Sequence, residues 1–261
     1  MNGLPFLSGK TEEEIFLKTR PELEHLKVSG KLVATVLKEI SRCVRPGVST
    51  ESIERICRQR IAHYRNNYTI EKYPDFPTFL SISVNDTAVH GIPNEVSLKN
   101  GDIITLDLVM KVNGWYGDHA VTLPVGSIAP KEARLIDAAR EATLAGIAAA
   151  KAGNRFGDIG AAVREVIQKY ELKVFDVFVG HGIGKELHEG PVVYMKGEEG
   201  VGQPIVPGMV FTIEPVLTRG MTEYKENDDG YSLNTKDGEC TALFEHMVAI
   251  QSDQTIVLSS A

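Results

Sequence analysis

Residues 101–123 of this 261-residue chain read GDIITLDLVMKVNGWYGDHAVTL and contain its clearest local structural signal. Two apolar, β-rich runs flank Asn113-Gly114, and this dipeptide is the strongest short-range signal for a β-hairpin with a two-residue loop. Counting outward from such a loop pairs Val109 with Asp118. The sequence therefore predicts a long hairpin here, with a defined register.

This hairpin would bring two aspartates together. Asp107 lies two residues from Val109 and so shares its face of the strand, which makes it a diagonal neighbour of Asp118. A lone carboxylate in the apolar run IITLDLVM would be costly, and two adjacent buried carboxylates would raise each other's pKa. A metal ion between them resolves both problems. A pair of hydrogen-bonded structural aspartates is the alternative.

Two more acids lie inside strand-like apolar segments. Glu214 ends the run FTIEP, which Pro215 stops, and Glu245 lies within ALFEHMVAI. Each of them alone is compatible with a satisfied core acid. Four acids in four such positions are harder to explain without a shared cation.

Residues 179–191, VGHGIGKELHEGP, place two histidines among four glycines. Glycine lowers the stability of regular structure and permits close approach of the backbone to a ligand, although a surface loop with incidental histidines is the alternative. Adding His181 to the four acids gives four oxygen ligands and one nitrogen, which suits a pair of Mn, Fe, Co or Zn ions. Such a pair supports hydrolysis, and His90 and His188 would be the donors beside it.

Composition limits the class of protein. With 43% hydrophobic residues, the chain can bury a substantial core. The net charge of −7 argues against a nucleic-acid-binding protein. No low-complexity run or charge block divides residues 1–261, so we expect one compact α+β domain.

Cysteine use and the N-terminus bear on the cell compartment. Cys43, Cys57 and Cys240 show no C-x-x-C spacing, which argues against a disulfide framework or a zinc knuckle and favours a reduced, cytoplasmic setting. The N-terminal segment MNGLPFLSGKTEEE lacks the apolar core of a signal peptide. No apolar run approaches the length of a membrane span.

Hydrophobic periodicity and turn signals predict the secondary structure. Helices are expected over residues 22–43, 50–64, 131–151 and, capped by Asp158, 158–170; strands are expected over 81–85, 103–126, 174–179, 209–217 and 243–251. RPGVSTESI and KAGNRFGDI, each at the end of a first helix, keep the same glycine-to-isoleucine separation. This weak internal repeat predicts two similar halves with a site between them; two ordinary helix hairpins are the alternative.

The ordered motifs resemble those of a known family. NDTAVHGIP, the two aspartates of the hairpin, GHGIG, LHEGP, FTIEP and FEH follow one another as in the type I methionine aminopeptidases. The resemblance runs from about residue 20 to residue 250, and the ordered set is far more specific than any one motif. It implies the pita-bread fold, in which two pseudo-symmetric halves of mostly antiparallel sheet, flanked by helices, surround a dinuclear metal site.

The resemblance also implies roles for particular residues. The expected ligands of two divalent ions are Asp107, Asp118, His181, Glu214 and Glu245. In the family pattern Asp118 and Glu245 bridge both ions. His90 faces the scissile amide nitrogen, and His188 hydrogen-bonds the substrate carbonyl and the developing oxyanion. Glu214 is in addition a proton shuttle.

The expected methionine pocket departs from the family pattern. Tyr73 and Phe76 keep its aromatic wall. Ser81 replaces a common cysteine, Leu187 a phenylalanine, and Tyr231 a tryptophan. These changes affect side-chain preference and leave the metal ligands intact.

Two further positions carry weaker expectations. Asn85 and Thr241 match part of a monovalent-cation site of the family. His119 stands where the family has a small hydroxyl residue, and the hairpin register turns it away from the metals, so we expect a packed or exposed histidine.

The expected function is removal of the initiator methionine from nascent polypeptides whose second residue is small. In prolidase or aminopeptidase P, a large N-terminal domain would precede this region. No such domain is expected here, so the resemblance favours the short bacterial form of the type I enzyme. The expected partner is the N-terminal peptide of a nascent chain. The protein is expected to be a monomer that contacts the ribosome and binds neither nucleic acid nor a membrane directly. A paralogue with another N-terminal preference and a non-catalytic pita-bread binding protein are the alternatives.

Overall fold

The computed structural model describes residues 14–261. Within them the chain forms four helices: α1 (Arg20–Ser41), α2 (Thr50–Tyr64), α3 (Pro130–Ala149) and α4 (Phe156–Tyr170). The strands of the first half are β1 (Ile70–Glu71), β2 (Leu80–Val84), β3 (Thr87–Val89), β4 (Ile103–Val112) and β5 (Trp115–Pro124). Those of the second half are β6 (Lys173–Val174), β7 (Gly180–Gly182), β8 (Glu189–Val193), β9 (Val210–Ile213), β10 (Val216–Thr218), β11 (Tyr224–Glu226), β12 (Leu233–Thr235), β13 (Thr241–Leu243), β14 (Glu245–Ile250) and β15 (Thr255–Val257).

Both halves contribute to one antiparallel sheet. Its strands run in the order β1-β4-β5-β14-β9-β7-β8, with β2 beside β4 and β15 beside β14. Helices α1 and α2 cover the strands of the first half, and α3 and α4 cover those of the second, each pair over its own apolar core. The strands at the centre, β5, β14 and β9, join the two halves.

The predicted hairpin is confirmed with its register. Val109 pairs with Asp118, and Val112 pairs with Trp115 next to the loop. Asn113 and Gly114 both have positive φ, at 49° and 85°, as a type I′ turn requires. Because the turn is short and its conformation is encoded locally, the pairing can be read from the sequence.

Helix ends follow local capping chemistry. Thr19 and Glu22 form a capping box at the start of α1, two residues before the predicted start. The expectation that Asp158 begins α4 is wrong by two residues. Asp158 lies in the first turn, and its carboxylate accepts the N–H of Arg155 at 2.7 Å.

Some predicted strands are shorter or interrupted. Of the segment predicted over 174–179, only Val174 lies in a strand, at the end of β6. Phe175 and Phe178 pack into the same core cluster, and residues three apart cannot do so on a straight strand, where side chains alternate between faces. The segment 209–217 breaks at Pro215, which has no N–H for the ladder, and 243–251 breaks at Phe244.

No helix within residues 14–261 is both long and apolar enough to cross a membrane. The segment on which the signal-peptide prediction rests, residues 1–14, lies outside the described residues except for Glu14.

Candidate metal centre

Five neighbouring strands each contribute one of the expected ligands. Across the sheet, in the order β4, β5, β14, β9 and β7, these are Asp107, Asp118, Glu245, Glu214 (the residue after β9) and His181. They converge at the floor of one cavity of about 660 Å³. The sheet order therefore brings together side chains that are far apart in sequence.

The ligand atoms lie within the reach of a shared cation. One ligand atom each of Asp118, His181 and Glu245 lies within 4.8 Å of the others. The Nε2 atom of His181 is 3.8 Å from Asp118 Oδ2 and 3.6 Å from Glu214 Oε1. Thr212 orients the last of these carboxylates, because its hydroxyl donates to Glu214 Oε1 at 2.6 Å.

Burial of four acids together is electrostatically unfavourable. Burial raises the pKa of Asp107 to about 7 and that of Glu214 to about 8. Burial and the neighbouring carboxylates hold the pKa of Asp118 and of Glu245 well above the usual range. Among the described residues, three oxygens of this group have no hydrogen-bond partner: Asp107 Oδ1, Asp118 Oδ1 and Glu245 Oε1. Divalent cations supply the positive charge that such a group lacks.

The tautomer of His181 also fits a cation. Its Nδ1 lies 3.0 Å from the carbonyl oxygen of Gly182, which can only accept, so Nδ1 carries the proton. Burial lowers the pKa of His181 to about 4, so the ring is neutral. Nε2 then turns a lone pair toward the oxygens of Asp118 and Glu214, so all three atoms are within reach of one cation.

The cavity above the acids is lined by the two remaining histidines and the expected pocket residues. His188 lies edge-on to His181 with ring centroids 4.5 Å apart, and it also meets Tyr73 edge-on at 6.0 Å. Burial lowers the pKa of His188 to about 2 and that of His90 to about 4, so both are neutral. The pocket residues expected from the sequence all line this cavity: Tyr73, Phe76, Ser81, Leu187 and Tyr231.

Close backbone packing fixes His90. Its φ of 58° is in the left-handed region, which is rare for a residue other than glycine. The next residue, Gly91, lies against β2 so closely that a Cβ there would be 2.0 Å from the carbonyl oxygen of Ile82. The tight approach of this segment to β2 thus holds His90 over the cavity.

His119 is packed, as expected, and lies outside the cavity lining. It is buried, its Nδ1 donates to the carbonyl oxygen of Glu245, and its ring stacks on His246 with centroids 4.6 Å apart. Burial and the neighbouring His246 lower its pKa to about 3. Its contacts therefore join β5 to β14 behind two of the acids.

Asn85 and Thr241 are brought together away from the cavity. The carbonyl oxygen of Asn85 accepts the N–H of Thr241 at 2.9 Å, and the hydroxyl of Thr241 donates to the carbonyl oxygen of Thr87 at 3.1 Å. Asn85 has a φ of 52°.

Sequence reasoning missed Thr212, which supports the carboxylate of Glu214, and some residues of the cavity lining. Thr212 was detectable, because strand alternation puts it on the same face as Glu214. Asp75 and Phe178 line the cavity without any local signal. Phe178 reaches it because the chain leaves the strand path after Val174.

Comparison with known proteins decides the family. Residues 24–252 match the family described as Metallopeptidase family M24. The chain belongs to this family. The family assignment implies divalent metal ions and agrees with the group of acids and histidine at the cavity floor.

Its relatives include several methionine aminopeptidases. Methionine aminopeptidase 1 of Bacillus subtilis (strain 168) is 35% identical over 236 residues, covering 90% of this chain and 95% of that protein. The mitochondrial methionine aminopeptidase 1D of Dictyostelium discoideum is 35% identical over 260 residues. The match covers 98% of this chain and 64% of that longer protein. The crystal structure of methionine aminopeptidase from Rickettsia prowazekii has a TM-score of 0.90 at 32% identity, covering 94% of this chain and 100% of that chain. The resemblance seen in the motifs and the expected α+β pita-bread fold are both confirmed.

Proposed function

We propose that this M24 protein is a metal-dependent aminopeptidase that removes N-terminal methionine from polypeptides whose second residue is small. The observation that carries the proposal is the set of five ligands, one from each of five adjacent strands, at the floor of a cavity walled by histidines and aromatic rings. The names of the relatives from Bacillus subtilis and Rickettsia prowazekii support the choice of methionine.

The metal centre would hold two divalent ions of Mn, Fe, Co or Zn. Its proposed ligands are Asp107, Asp118, His181, Glu214 and Glu245. The family resemblance implies that both ions would share Asp118 and Glu245, which lie on the paired central strands β5 and β14. Bound there, divalent cations supply Lewis acidity, which acidifies water and polarises carbonyl oxygens. A non-catalytic binding protein is a poor alternative, because all five ligand positions are filled.

The neutral histidines would act on the peptide itself. His188 would donate an N–H to the substrate carbonyl oxygen and stabilise the charge that develops on it. His90 would face the nitrogen of the scissile amide. Since burial keeps both rings neutral, each retains one N–H donor across the physiological pH range.

Glu214 would carry the proton from the attacking water to the leaving amine. Its carboxylate is held in place by the hydroxyl of Thr212. A carboxylate at this position can take up a proton and release it again, as a temporary proton carrier requires.

The pocket would receive the methionine side chain between Tyr73, Phe76 and Tyr231. Phe76 and Tyr231 pack edge to face with ring centroids 5.5 Å apart, and thioethers make favourable contacts with ring edges. Leu187 and Ser81 also line the cavity. Because these two residues and Tyr231 differ from the family pattern, a paralogue with another N-terminal preference is the second candidate.

Peptides distinguish the two candidates. Metal content and kcat/KM are measured for the purified protein with Met-Ala-Ser and with Leu, Phe or Pro in the first position. We expect bound divalent metal and a preference for methionine. A tenfold preference for leucine, phenylalanine or proline establishes the paralogue, and hydrolysis of none of the peptides by the metal-loaded protein rejects both.

We further propose that residues 1–261 act as one catalytic domain, because strands from both halves form one sheet. A cytoplasmic location is supported by the cysteines: all three lie within the described residues and none forms a disulfide. Asn85 and Thr241 are proposed to hold a monovalent cation through their neighbouring backbone. The monomeric state and the ribosome contact stay predictions.

A further inference from the structure

A buried ion pair lies behind the loop that holds His188. The ammonium group of Lys18 contacts the carboxylate of Glu189, and the two side chains are only 5% and 7% exposed. Neither residue lines the cavity. Because Glu189 directly follows His188, the pair is anchored one residue from a proposed oxyanion donor.

The alternation of an extended chain separates the two side chains. Glu189 begins β8, and successive residues of a strand point to opposite faces. His188 points into the cavity, where its ring meets Tyr73 and His181. The carboxylate of Glu189 therefore lies on the side of the backbone away from the cavity, while the imidazole of His188 faces the substrate.

The ion pair also packs directly against the loop of residues 183–188, here called the His188 loop. A Cβ on Gly184 would lie 2.4 Å from Glu189 Oε1 and 2.6 Å from Lys18 Nζ, so any larger residue there would displace the ion pair. The N–H of Glu186 donates to Glu189 Oε1 at 3.2 Å. The same carboxylate thus binds the ammonium group of Lys18 on one side and the loop backbone on the other.

Lys18 itself is fixed by the segment that precedes α1. Residues 15–19, here called the N-terminal strap, cross the second half of the molecule. Ile15 forms a parallel bridge to Gly190, and the N–H of Lys18 donates to the carbonyl oxygen of Gly208 at 2.7 Å. The strap ends at Thr19, which caps α1. A rigid helix of the first half is therefore connected to the His188 loop of the second.

We propose that Lys18 is a positioning residue: through its buried ion pair with Glu189 it fixes the His188 loop, and with it the imidazole that meets the substrate carbonyl. This inference rests on the proposed aminopeptidase function. A buried ion pair adds little net stability compared with an apolar pair of the same size. It does impose one geometry, and a misplacement of about 1 Å in a catalytic group can reduce the rate by roughly 10²-fold.

Removing the ammonium group of Lys18 tests the proposal. Lys18→Met keeps the length of the side chain and leaves Glu189 buried without its partner, so the carboxylate must turn toward water and move the His188 loop. We expect kcat to fall about 10- to 100-fold, KM to change by less than about threefold, and metal content to stay that of the wild type.

Lys27→Met is the matched control. Lys27 also pairs with a glutamate, Glu24 at 2.7 Å, but this pair is exposed on the surface of α1. We expect it to leave kcat and KM unchanged. If Lys18→Met folds, keeps its metal and has the kcat of the wild type, the ion pair has only a structural role and the proposal is wrong.

The Glu189→Gln background covers the case in which Lys18→Met alone does not fold. Glu189→Gln removes the buried charge and keeps an oxygen for the N–H of Glu186. In this background Lys18→Met should lower kcat further by less than about threefold, because the two residues act through one contact. A further fall of about 10-fold or more relative to Glu189→Gln would overturn the proposal.

The imidazole resonances of His188 in the zinc-loaded protein provide a readout that does not depend on turnover. They should shift in Lys18→Met and stay in place in Lys27→Met; identical spectra for Lys18→Met and wild type contradict the proposal. If the wild-type protein hydrolyses no methionyl peptide, the proposed function fails, whereas the spectra still test the positioning of His188.

Discussion

His181 and His188 have rings only 4.5 Å apart, and yet their surroundings suit them for different tasks. His181 directs Nδ1–H to the carbonyl oxygen of Gly182 and turns Nε2 to the carboxylates. His188 lies farther up the cavity wall, against Tyr73. Both are neutral because burial disfavours the charged ring. Because both residues are histidines, it is their local backbone that makes one a proposed ligand and the other a proposed donor.

Substitution of His188 tests this division. His188→Ala should lower kcat by roughly 10²-fold or more, as expected when one oxyanion donor is lost, and it should leave the metal content unchanged. Steady-state kinetics and metal analysis of the same preparation measure both. Loss of metal in this variant would make His188 a ligand and contradict the proposed roles.

Substitution of Asp118 tests the shared carboxylate. Asp118→Asn keeps the size of the side chain and removes the charge at the centre of the ligand set. We expect loss of at least one metal ion and a fall in kcat of at least about 10³-fold, since Lewis-acid stabilisation amounts to several kcal/mol. Full metal content with undiminished kcat would reject the shared role.

At the scale of elements, the hairpin β4–β5 is positioned by α1. The two elements approach closely at Gly117, where a Cβ would lie 2.7 Å from the carbonyl oxygen of Ser29. The hydroxyl of Ser29 donates to the carbonyl oxygen of Tyr116 at 2.9 Å. The helix therefore holds the strand directly beside Asp118.

Gly117→Ala should push α1 away from β5 and displace Asp118. We expect a loss of roughly 1–3 kcal/mol in the free energy of unfolding, as for other overpacked sites, together with weaker metal binding. Gly114→Ala is the control, because within residues 14–261 its Cβ meets nothing within 4 Å and only the left-handed backbone is strained. Denaturant unfolding and metal titration compare the two, and equal metal affinity in both variants would contradict the argument.

The hairpin also shows which elements a sequence can specify. Its register follows from Asn113-Gly114 and from side-chain alternation, so the sequence alone is enough to place Asp107 and Asp118 side by side, as the structure confirms. The pairing of β14 with both β5 and β9 has no local signal, since these strands are far apart in sequence. For that reason Glu214, Glu245 and His181 could be recognised as buried and polar, while their convergence with the aspartates rested on the family resemblance.

At the scale of the whole molecule, the cavity is built by both halves. Tyr73, Phe76 and Ser81 come from the first half, and Leu187 and Tyr231 come from the second. The sequence identified these five residues through the family resemblance, but it did not identify Asp75 or Phe178, which reach the cavity only through the folding of irregular segments. Side-chain preference thus depends on how the two halves meet.

The residues that line the pocket predict that methionine is preferred in the first position of the substrate, but less strictly than with the family pattern of pocket residues. Leu187 is buried beside His188 in the wall where the family pattern has phenylalanine, and the smaller side chain removes ring edge available to a thioether. A contact of this size in an apolar pocket is worth about 1–3 kcal/mol. We therefore expect methionine to be preferred in X-Ala-Ser peptides, with measurable cleavage of norleucine and leucine.

Leu187→Phe should reverse the broadening. The added ring restores an aromatic surface next to Tyr73 and occupies space that a branched side chain needs, so kcat/KM for leucine should fall relative to methionine by roughly 10-fold, the range of a single apolar contact. Val96→Phe is the control, because Val96 is 68% exposed and does not line the cavity. The second residue of the substrate should still have to be small in both variants, because the ligand carboxylates, His90 and His188 crowd that side of the cavity. If the ratio of kcat/KM for methionine to that for leucine is unchanged in Leu187→Phe, the side chain at residue 187 does not contact the first side chain of the substrate. Selectivity would then have to come from the aromatic residues of the opposite half.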